Sequence, residues 1–156
     1  MNQKVDAPVK ELGEVSLLIN TLLADEYLLY AKTRYAQRDI KRSNFNGLSK
    51  FFDSQFEVLD MIIDNTTERV GILGRSFPDS LHDFLKTARL PKQDEEFSDQ
   101  DYIIKSLLKE HESIISLLHN DIITIGEVHK DSDTAAFLSE LMKQHEKIVW
   151  MLESHT

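Results

Sequence analysis

A chain of 156 residues has room for one domain with a proper core. With 41% hydrophobic and 29% charged residues it is not disordered, and five glycines with three prolines are too few to punctuate many short strands, so long helices are expected. The absence of cysteine excludes disulfides and thiolate metal sites, leaving carboxylates, imidazoles and water as metal donors, while a net charge of −9 attracts cations and repels nucleic acid unless a local basic element projects.

In chain order, Met1 to Lys10 lacks the apolar stretch of a signal peptide, and no apolar run approaches a membrane span. A cytoplasmic protein without membrane partners is expected, with residues 1–8 a flexible tail on one domain spanning 1–156. The first helix is predicted from about Pro8 to about Tyr35, with Asp6 or Ala7 as cap and Pro8 in its first turn. Leu12, Val15, Leu18, Leu22, Tyr27 and their neighbours cover more than half its circumference, so a second buried face is implied. The second helix is placed from Asn44 as N-cap to Leu73, with Gly74 as the stop. Ser76-Phe77-Pro78-Asp79 reads as a capping box for a short helix over Phe77 to Ala88, followed by a polar loop from Arg89 to Phe97. Ser98-Asp99-Gln100-Asp101 opens a third long helix reaching Val128, again apolar over a wide arc, and a fourth runs from about Asp133 to Glu153. The fold class is therefore all-α: a ferritin-like four-helix bundle, with a short extra helix in the long connection between the second and third helices.

The stretch Leu22-Leu23-Ala24-Asp25-Glu26-Tyr27-Leu28-Leu29-Tyr30-Ala31-Lys32-Thr33-Arg34 resembles the first helix of the Dps-type miniferritins. Asn44-Phe45, the run Ile62 to Arg69 and the ending His145 to Leu152 are also similar to that family, so the resemblance covers roughly residues 12 to 155. It implies a hollow, dodecameric homo-oligomer that oxidises Fe(II), usually with peroxide, and stores the ferric product. Some members also bind DNA. It further implies an iron site between subunits, two histidines of one facing an Asp and a Glu of the other. The carboxylate half falls on Asp64 and Glu68, four apart on one helix. The histidine positions fall on Gln37 and Ser49, the neighbouring tryptophan position on Arg38, and no histidine occurs before His82. Amide and hydroxyl oxygens are weak Fe(II) ligands beside imidazole, so iron, or another divalent cation held with waters, is expected in a weakened site. Whether the chain is an enzyme stays open. It resembles ferroxidases but lacks two ligands, and the alternative is a non-enzymatic shell serving as a scaffold or DNA-associated stress protein.

Three further groups stand out. His111 and His145 lie at seam spacing on the third and fourth helices, and Glu26 does so on the first. They are expected to form a buried polar network, the alternative being a metal site within the bundle. Asp121, Glu127 and Asp131 resemble the acidic lining of a pore in Dps shells, or else act as helix caps. Lys32, Arg34, Arg38, Lys41 and Arg42 form a basic cluster around the first loop, the one plausible anion contact, so nucleic-acid binding is expected to be weak.

Overall fold

The computed structural model describes residues 9–42, 48–74, 80–91 and 100–155. Among these described residues five α-helices follow in order: α1 (Val9–Arg42), α2 (Ser49–Ile72), the short α3 (Leu81–Lys86), α4 (Gln100–Ile123) and α5 (Ser132–Glu153). A single π-helical turn, Thr124–Val128, continues α4. The four long helices form the bundle, α1 packing chiefly on α2 and α4 on α5, with α1 also against α4. Gln37 meets Asp53 and Tyr30 meets Phe56, so α1 and α2 run antiparallel.

The element order is as expected, and the differences lie at the ends. α1 continues past Tyr35 to Arg42, because residues 36–42 hold no glycine or proline and Ala36 and Ile40 bury their side chains. The basic cluster therefore belongs to α1 rather than to a loop. α2 starts at Ser49, following Leu48, which makes no side-chain cap bond. The expected cap Asn44 lies outside the described residues, as do the tail 1–8, Ser76 to Asp79, Ser98 and Asp99. Gly74 does stop α2, at a φ of +81° that glycine adopts without steric cost. α3 starts later than expected, capped by Ser80, whose hydroxyl accepts the Asp83 N–H. α5 is capped by Asp131, which accepts the Thr134 N–H.

The core has two apolar clusters. One gathers Val15 to Leu29, Leu59 to Leu73, Ile114 to Ile125, and Leu138 with Leu141. The other gathers Ala36, Ile40, Phe52, Phe56, Ile103 to Leu107, Ile148 and Leu152. Large apolar side chains also stay outside, among them Leu17, Tyr27, Tyr35, Met61, Ile123 and Trp150.

Candidate metal site

Asp64 and Glu68 stand one turn apart on α2, and both are exposed. Their neighbours Ile62, Ile63, Thr66 and Val70 turn inward, which fixes the outward face that these carboxylates share. Among the described residues neither carboxylate makes a hydrogen bond or an ion pair. Met61 lies beside them, 56% exposed.

Gln37 and Ser49 lie elsewhere, at the end of the bundle where α1 finishes and α2 begins. Gln37 is buried, and its amide nitrogen donates to Asp53 Oδ1 at 3.2 Å. Ser49 is half-buried and one turn before Asp53. Sequence reasoning passed over Asp53, although its spacing of four from Ser49 puts both on one helix face. Asp53 and Asp64 are eleven residues apart on one helix, about 16 Å along its axis at 1.5 Å per residue. One ion cannot touch both groups of one chain, so a site using both must draw on two copies.

A cation already occupies the Gln37 end. Arg34 Nη2 donates to the Tyr30 hydroxyl at 2.8 Å, its guanidinium lies 3.6 Å from the centroid of the Phe56 ring, and Nη1 donates to Gln37 Oε1 at 3.4 Å. Arg38, by contrast, reaches among the described residues Asp39, at 3.7 Å, and the Tyr35 ring. Lys32, another member of the basic cluster, is held by Glu110 at 2.7 Å.

The family model for the ferritin-like domain matches residues 17–156. The chain belongs to the ferritin-like domain family. A low temperature-induced protein of Nostoc sp. is 34% identical over 137 residues, 88% of this ferritin-like chain and 76% of that protein. A DNA protection during starvation protein of Helicobacter pylori is 21% identical over 138 residues, covering 88% of this chain and 95% of the other. The Dps protein of Vibrio cholerae O1, described as a member of a superfamily of ferritin-like diiron-carboxylate proteins, superposes with a TM-score of 0.83 at 24% identity, covering 95% and 92% of the two chains. The resemblance is thus to the Dps branch, in its fold.

Inside this ferritin-like bundle Glu26, His145 and His111 meet in a row. His145 Nε2 lies 2.6 Å from Glu26 Oε1, and His145 Nδ1 lies 2.9 Å from His111 Nδ1. The two nitrogens of the central ring face opposite partners, so the three side chains form a string rather than a chelate. Among the described residues no three His, Asp or Glu groups converge as donors to one ion. Burial first, and then the neighbouring His145, hold the His111 pKa well below 6.5.

Of the three acidic residues compared with a pore, Glu127 is exposed and the other two are engaged. Asp131 caps α5 and lies 3.9 Å from Arg69. Asp121 is 2.9 Å from Arg89. Arg89 also binds the fully buried Asp25 at 2.9 Å, and Asp25 accepts the backbone N–H groups of Arg89 and Leu90. This triad pins the crossover to α1 and α4. Burial raises the Asp121 pKa, the Arg89 guanidinium opposes that shift, and the Asp25 charge adds to it.

Proposed function

We propose that this protein is the subunit of a Dps-like cage, of dodecameric type, that takes up iron at a weakened oxidising site between subunits. The observation that carries the reading is the pair Asp64 and Glu68, exposed, unpartnered among the described residues, and some 16 Å from the nearest donors of the Gln37 end. A second copy would bring Gln37, Ser49 and Asp53 opposite that pair. The apolar side chains left outside, Met61 and Trp150 among them, are the surface that such an assembly covers. The weakening follows from donor chemistry. Carboxylates hold a hard cation with waters, whereas the amide of Gln37 and the hydroxyl of Ser49 hold Fe(II) poorly. The Arg34 guanidinium next to Gln37 further repels it. A role in stress agrees with the low-temperature induction in the name of the Nostoc relative and with starvation protection in that of the Helicobacter protein.

The test is Fe(II) oxidation by metal-free protein, with oxygen or with peroxide, beside the variant Asp64→Ala/Glu68→Ala. Slow oxidation by wild type, lost in the variant, is the expected result. Equal rates would replace this reading with the second one, a shell without iron chemistry, which the Arg34 cation at the histidine end favours. Light scattering should give a closed oligomer at micromolar concentration, and a monomer would end both. Any DNA binding comes through the basic cluster Lys32, Arg34, Arg38, Lys41 and Arg42, set against a net charge of −9, and should therefore be weak and lost on adding salt. Tight, salt-insensitive retardation of duplex DNA would contradict that.

A further inference from the structure

The Glu26–His145–His111 string lies where the two apolar clusters meet. On α4, His111 stands between Leu107 of one cluster and Ile114 of the other; on α5, His145 stands between Ile148 and Leu141 in the same way. Glu26 and His145 have no exposed surface and His111 has 3%. Three ionisable groups out of water must account for every proton in their contacts.

With Glu26 ionised and both rings neutral, His145 donates through Nε2 to Glu26, and His111 donates through Nδ1 to His145. One added proton makes His145 a cation donating through both nitrogens, and the Nδ1 contact reverses with no bond lost. The buried charges Glu26 and His145 then cancel. A second proton has no such place. On His111 it sets two N–H groups face to face across 2.9 Å. On Glu26, through the unpartnered and buried Oε2, it removes the carboxylate charge that faces His145.

Among the described residues, the other buried charged groups of these helices are already engaged in ion pairs. On α1, Asp25 is bound to Arg89 and Lys32 to Glu110. On α4, Glu110 is committed to Lys32 and Asp121 to Arg89. α2 buries Gln55 and Thr66 but no titratable group. α5 buries no titratable side chain besides His145.

We infer that Glu26, His145 and His111 form an acid-sensitive latch across α1, α5 and α4, which holds one proton intact and opens on the second, parting α4 from α5 at the boundary between the two clusters. The burial that holds His111 below 6.5 gives the direction. The folded pKa is below that of the unfolded chain, so the unfolded chain takes the proton first. The share of stability set by His111 is complete above about pH 6.5 and declines as pH falls from there.

The experiment is urea unfolding of the assembled full chain at fixed concentration, from pH 7.5 down to 5, for wild type and His111→Gln. The glutamine amide keeps a partner for His145 and removes one titration. Below pH 6.5 the unfolding constant of wild type should rise faster than that of the variant, by up to about tenfold per pH unit. In parallel, hydrogen exchange at the ring carbon of His111, read residue by residue in intact wild type, should show it still neutral well below pH 6.5. Identical pH dependence in the two proteins, or a His111 that titrates at its ordinary value, overturns the latch. Should the variant not fold, the exchange measurement on wild type decides alone.

Discussion

Two groups of carboxylates contrast in this chain, one buried inside the bundle and one on the outer face of α2. Asp25, Glu26, Glu110, Asp121 and Asp131 are buried, and each has a guanidinium, an ammonium, an imidazole or a backbone N–H within reach. Asp64 and Glu68 are exposed and, among the described residues, have none. A charge leaves water only when something in the protein replaces the water, and the partner found there fixes its role in the fold. A charge left in water one turn from another is free to bind. The buried acids are therefore tied into the bundle, and the exposed pair is where the proposed site would receive a cation.

If this division is right, the largest loss of stability comes from the interior. Asp25→Ala leaves Arg89 with Asp121 alone and frees two backbone N–H groups, and should cost about 3–5 kcal/mol in chemical denaturation. A cost below 1 kcal/mol would show that the triad does not pin the crossover. Next comes the restoration of imidazole at the other end. Gln37→His/Ser49→His should raise the rate of iron oxidation by about 10- to 100-fold, and adding Asp64→Ala should erase the gain. Arg34→Gln should raise it further, because Arg34, and not Arg38, contacts position 37. Smaller still is the cost to folding of Asp64→Ala/Glu68→Ala, within about 0.5 kcal/mol of wild type by the same denaturation assay. The smallest effect concerns Asp121. Its folded pKa is raised above the ordinary 3.8, so its ionisation opposes folding, and that penalty disappears as pH falls toward 3.8. Between pH 6 and pH 4 the melting temperature of wild type should therefore gain slightly on that of Asp121→Asn.

The bundle itself was legible because its signals are periodic. Leu107, His111, Ile114 and Leu118 repeat at helix spacing, which is enough to turn His111 inward and bring it near His145. The end of α1 was not legible, since the change from Tyr35 to Arg42 is one of polarity and not of backbone permission. The π-helical turn at Thr124–Val128 left no mark in the sequence either. The candidate site was half legible. Asp64 and Glu68 announce themselves by spacing, whereas Arg34 and Asp53 matter because of what α1 and α2 bring together. The Asp25–Arg89–Asp121 triad was invisible, as Arg89 sits outside any periodic element and its partners are 64 and 32 residues away. Such long-range pairs carry no local pattern to read.

The chain has a single tryptophan, and Trp150 is 69% exposed near the end of α5. An indole already in water changes its emission little when the chain around it unfolds, but moves to the blue when another surface covers it. If the proposed assembly covers Trp150, tryptophan fluorescence in this protein follows the meeting of subunits rather than the packing of the bundle. Dilution, and not denaturant, is the variable against which it should be read.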